Sequence, residues 1–254
     1  MSNHAEVHAH EHGPILTPWP LVISIGILTM IPLAFMFNFV YHNPFAAILS
    51  MGIGIPLCIM GVIGWVREAI GGDELSQGLG FGAMGWFILA EALIFLPGFA
   101  TYWVLRLSAV DWPPPGSVDM PKLMPAIMTV VLVSSSLTIH RAEGLLEAGS
   151  IAGFRKWLAA TMLLGLTFLL MSVYEWNHLF HEGFTIDTNV FSSSFFSLTG
   201  LHGSHVFVGL GMFLGMLVPA MAGRVNKTYV RAGSLYWHFV DIIWFFVVSQ
   251  MYYW

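Results

Sequence analysis

The sequence predicts an all-α integral membrane protein, a bundle of seven transmembrane helices, and three observations predict it. The 254 residues are 57% hydrophobic and only 9% charged, with a mean hydropathy of +0.76, where soluble chains carry about 25% charged residues. The 26 Gly and 13 Pro are more at home in membrane spans than in soluble helices, because glycine allows close backbone approach there. Finally, the apolar residues fall into runs of the length needed to cross a bilayer, roughly 20 residues rising about 1.5 Å each.

Seven such runs are expected, at about 19–40, 45–66, 81–105, 122–141, 156–178, 195–222 and 233–254. The first opens on "TPWPL", with Pro20 suited to a first helical turn and Trp19 to the membrane interface. Only "YHNP" separates it from the second, which predicts an antiparallel pair. "REAIGGDELSQG" and the proline-rich "SAVDWPPPGSVDMP" are loops, as is "FHEGFTIDTNVFSS" between the fifth and sixth spans. The domain organisation that follows is a polar His-rich tail over 1–17, a two-helix unit over 18–66, a polar loop over 67–80 and a five-helix bundle over 81–254.

Orientation is read from the basic residues. Arg67, Arg141, Arg155, Lys156, Arg224, Lys227 and Arg231 share the N-terminal side, against Arg106 and Lys122 opposite. This bias predicts a cytoplasmic N-terminus in a cell inner membrane, or a matrix one in a mitochondrial inner membrane. The first 17 residues are polar and lack the basic start of a cleavable signal, so the tail is expected to remain. With few Lys and Arg and a net charge of −5, no basic surface is available to hold nucleic acid. Cys58 is the only cysteine, which excludes an intrachain disulfide and a thiolate cluster.

Ionisable residues inside spans mark the candidate site. Glu91 lies ten residues into the third run, about 15 Å deep. An acid at such a position costs about 2.5–3.5 kcal/mol, so it is expected to be neutral or to share a proton with a donor. "SLTGLHGSHVFVG" sets His202 and His205 three apart on one helix face, and "YWHFVDIIWFF" does the same with His238 and Asp241. These five residues form the expected buried polar cluster, with at least one direct hydrogen bond between helices among Glu91, His205 and Asp241. Haem ligation calls for imidazoles on facing helices, whereas His202 and His205 occupy one turn, so no haem or metal is assigned to this chain. His4, His8, His10 and His12 are expected in a solvated tail, with metal binding by them the open alternative. The last span contains no lysine for a retinal Schiff base, and no nucleotide fingerprint is present.

Taken with "TPWPL", "WVRE" at Trp65–Glu68, "GLGFGAMGWFILAEALIF", "DWPPPG" and "SVYEWNHLFHEGFTIDTNVFSSSFF", the strings "FFSLTGLHGSHVFVG" and "LYWHFVDIIWFF" resemble subunit III of haem-copper terminal oxidases from Pro18 to Trp254. The resemblance implies a subunit without a redox centre of its own, beside a catalytic subunit I that holds haem and copper, with subunit II among the partners. It further implies that the first two helices splay from the other five around a lipid-filled cleft. The family's intramembrane glutamate matches Glu91. Support of proton uptake and of catalytic-subunit stability is the implied role, with phospholipid contacts expected at Trp65, Arg67 and Arg224. The chain departs from the family pattern in lacking a histidine after the second helix, and "HRAEG" gives His140 no inherited role. A free-standing proton-coupled transporter using Glu91 and Asp241 as carriers, or an accessory subunit of a nitric oxide reductase, are the alternatives. Whether the electron donor is cytochrome c or quinol is left open.

Overall fold

The computed structural model describes residues 18–71 and 77–253. Its helices are α1 (Trp19–Leu28), α2 (Pro44–Gly71), α3 (Gln77–Ser108), α4 (Leu123–Glu147), α5 (Ile151–His181), α6 (Val190–Met221) and α7 (Lys227–Val248). No strand occurs among the described residues. Wider π turns at Thr29–Leu33 and Met36–Val40 continue α1, and another at Ser249–Tyr253 continues α7. Among the described residues seven helices are long and apolar enough to cross a membrane. The chain divides into two compact units, residues 1–72 and 73–254. The tail histidines lie outside the described residues.

In the first unit α1 and α2 form an antiparallel pair whose backbones touch. A Cβ on Gly54 would fall 2.6 Å from the Met30 nitrogen and 2.7 Å from the Gly26 carbonyl oxygen, so the small residue is what permits the crossing. Pro32 sits inside the first π turn, where its missing N–H interrupts the regular ladder. Asn43 then starts α2, its Oδ1 accepting from the Ala46 nitrogen at 3.1 Å.

The second unit is built around α7. Two thirds of its most apolar stretch, 67%, is buried, against 17–33% for the spans of α3 to α6. It packs against α3, α4 and α6, while α5 lies along α4 and α6. Trp237 and Trp244 are buried to 0% and 2% exposure, and their indole nitrogens donate to Ser135 Oγ at 2.8 Å and Thr129 Oγ1 at 2.9 Å on α4. Each tryptophan therefore joins apolar bulk to a hydrogen bond that hydrocarbon cannot supply.

A left-handed glycine and two polar caps set the boundaries between α4 and α5 and at the start of α6. The α4 helix stops at Gly149, whose φ of +81° is costly for any residue with a Cβ. The Ser150 nitrogen then returns to the Leu145 carbonyl at 2.8 Å. Ser150 in turn caps α5, accepting from the Gly153 nitrogen at 3.3 Å. Asn189 forms a reciprocal capping box with Ser192 at the start of α6. Its Nδ2 also donates to Ser117 Oγ at 3.0 Å and to the Pro115 carbonyl at 3.2 Å, which fastens the proline-rich connection to α6. Asn189→Ala should cost about 1 kcal/mol from the lost cap alone; an unfolding titration in mixed micelles checks this, and faster proteolysis of the 109–122 connection should accompany it.

Candidate functional site

Glu91 on α3 and His205 on α6 meet at 2.9 Å between Oε2 and Nε2. Their side chains are 18% and 10% exposed, so the pair is largely withdrawn from the surface. His205 Nδ1 lies 2.8 Å from the Leu201 carbonyl, an acceptor, so Nδ1 must carry the donated proton. Nε2 then faces Glu91 either as a lone pair accepting a carboxylic acid proton or as the second N–H of an imidazolium. Either way one proton is shared between the two groups and their sum is neutral. Phe95, ring centroid 4.9 Å from His205, closes one side. The Tyr236 hydroxyl of α7 donates to the His205 carbonyl at 3.1 Å, so three helices meet at this point.

His238 and Asp241 on α7 are joined through α4. Ser136 Oγ donates to Asp241 Oδ2 and stands 3.0 Å from His238 Nδ1. A serine hydroxyl has one proton. Since that proton goes to the carboxylate, His238 Nδ1 is the donor to Ser136. Asp241 Oδ1 is buried without a partner among the described residues.

His202, 1% exposed, makes no hydrogen bond at either ring nitrogen among the described residues. Its ring lies against Phe168 and Trp244, with centroids at 5.5 and 5.1 Å. Hydrogen bonding thus divides the five residues of the expected cluster into two linked groups and one imidazole held by aromatic contact. Among the described residues no three His, Cys, Asp or Glu side chains converge as a metal site would require.

Sequence reading missed two participants. Ser136 lies in the run Ser134–Ser136, and nothing in such a run tells which hydroxyl crosses to another helix. Glu175 on α5 accepts from the Tyr252 hydroxyl at 2.5 Å, and its signal was available: an acid set in the apolar "LLMSVYEW", the same anomaly that exposes Glu91.

The residues expected to meet lipid divide between the two units. In the first unit an apolar groove is lined by Trp19, Pro56, Ile59, Met60, Ile63 and Gly64, with Arg67 as its one cation. Trp65, 46% exposed, is outside that lining. Arg224 is exposed on the α6–α7 turn of the second unit.

These features define a class: a multispanning helical membrane protein in which acids and imidazoles tie helices to one another. Comparison with known proteins then becomes specific. The family model for cytochrome c oxidase subunit III matches residues 10–254. Cytochrome c oxidase subunit 3 of Thermostichus vulcanus is 35% identical over 190 residues, covering 72% of this chain and 92% of the relative. The Mycosarcoma maydis protein of the same name is 30% identical over 258 residues, 94% of this chain and 92% of the relative. That of Synechocystis sp. is 36% identical over 170 residues, 65% and 72% of the two chains. The chain belongs to the cytochrome c oxidase subunit III family.

Proposed function

We propose that this chain is the non-catalytic subunit III of a proton-pumping haem-copper terminal oxidase. It lies beside catalytic subunit I, which holds the haem and copper and reduces O2 to water, in a complex that includes subunit II. The family match along nearly the whole chain carries this reading. The Glu91–His205 pair, whose two members bind each other between α3 and α6, supports a scaffold role. Stability of the catalytic subunit and support of proton uptake are the contribution we assign to it, exerted through helix packing and bound phospholipid. The apolar groove with Arg67 at its edge suits an acyl chain with its phosphate on the guanidinium.

Purification tests the assignment. The chain should co-elute with a haem-bearing subunit, and an oxidase stripped of it should begin turnover normally and lose activity sooner. A chain that elutes alone, or a stripped complex with an unchanged catalytic lifetime, would overturn the proposal.

A further inference from the structure

The contact between α4 and α7 carries a second pattern. On α4, Ser136, His140, Glu143 and Glu147 follow one another at intervals of four, three and four residues; on α7, Arg231, Ser234, His238 and Asp241 follow at three, four and three. Both spacings keep one helix face. The helices run antiparallel, so the two stripes meet as rungs. Arg231 pairs with Glu147 at 2.9 Å on the exposed end. Ser234, 2% exposed, faces the Glu143 carboxyl, its natural hydrogen-bond partner. His140 is exposed and within electrostatic reach of His238. Ser136 joins His238 to Asp241, whose Oδ1 is buried and unpartnered. From Arg231 to Asp241 is ten residues, about 15 Å.

Structural packing does not explain this stripe. Ordinary helix contacts in lipid use small residues and a few hydroxyls, and a buried carboxyl oxygen left without a partner among the described residues is costly unless water or a proton reaches it. We propose that the α4–α7 seam is a proton half-channel, open at the Glu147–Arg231 end and closed at Asp241, which is its proton-binding site. His238 Nε2, which has no protein partner among the described residues, takes up a proton from the His140 side. The Nδ1 proton of His238 passes to Ser136 Oγ as the Ser136 hydroxyl proton passes to Asp241 Oδ2. One proton has entered at the imidazole and one has arrived at the carboxylate, and His238 is again neutral with its proton on Nε2. Of the other ionisable groups on helices packed against α7, Glu91 and His205 lie toward Tyr236 and His202 toward Trp244, Arg106 lies at Tyr102 and Trp112, and Arg141 is exposed on α4.

This inference goes beyond the oxidase reading, and its test involves no partner protein. The full chain is placed in phosphatidylcholine nanodiscs, and the infrared carbonyl band of protonated carboxyl groups is followed after transfer into D2O. Asp241→Asn should delete one exchanging band. Ser136→Ala should keep that band and slow its exchange about tenfold, equivalent to about 1.4 kcal/mol on the barrier. His140→Gln alters only an exposed side chain, leaves folding untouched, and should also slow it. The proposal is overturned if Asp241→Asn leaves the band intact, or if exchange is as fast in both the Ser136 and His140 variants as in the unaltered chain.

Discussion

Glu91→Leu is expected to destabilise the second unit by about 1–3 kcal/mol if the pair is an acid and a neutral imidazole, and by about 3–5 kcal/mol if it is an ion pair. The cause is the same in both cases: His205 Nε2 is left buried opposite a hydrocarbon. Glu91→Gln separates the two states further. With Nδ1 committed to the Leu201 carbonyl, a neutral His205 offers Nε2 as a lone pair, and the introduced side-chain amide donates to it at little cost. An imidazolium would face the same amide through its oxygen but lose its counter-charge. The double variant Glu91→Leu with His205→Leu should recover most of the loss, since neither group is left unsatisfied. Unfolding titrations of the unaltered chain, the two single leucine variants and the double variant in mixed micelles form the cycle; a coupling near zero would contradict the pairing.

Trp237→Ala should be the more damaging packing change, on the order of 3 kcal/mol. In lipid the unfolded reference state is also apolar, so the transfer of the indole contributes little, and the cost comes from lost packing contacts and from the cavity left behind. Ser135 loses its indole donor as well, but its own hydroxyl already donates to the Leu132 carbonyl at 2.6 Å. Trp237→Phe should cost less, about 1–2 kcal/mol, losing the hydrogen bond and only part of the ring packed at Gly165 and Gly209. Stability measured on both variants distinguishes cavity from hydrogen bond, and equal losses would contradict this division.

Hydropathy made the seven spans legible, because twenty apolar residues in a row have few other uses. Their ends were less so. The α5 helix starts at Ile151 where the apolar run suggested 156, and α7 at Lys227 where it suggested 233. In both cases a polar cap, Ser150 or Asn226, begins the helix before the apolar stretch does, and a hydropathy window is blind to caps. Glu91 and His205 could be matched by depth, but depth does not say which helices are neighbours. The serine run shows the limit most clearly. Ser134 donates to the Val130 carbonyl at 2.7 Å within its own helix, while Ser136, two residues on, reaches α7. The residue type is the same and only the helix face differs, and that face acquires meaning once a partner helix is known.

The central place of α7 also bears on how the protein is made. It follows the other six helices in chain order, yet α3, α4 and α6 all close upon it. During insertion those helices reach the bilayer before their common partner, with Thr129, Ser135 and Ser136 still lacking the tryptophans and aspartate they later engage. The contacts of α4 with α5 and of α5 with α6 do not depend on it, so what the seventh helix adds on arrival is the polar and aromatic closure at the centre.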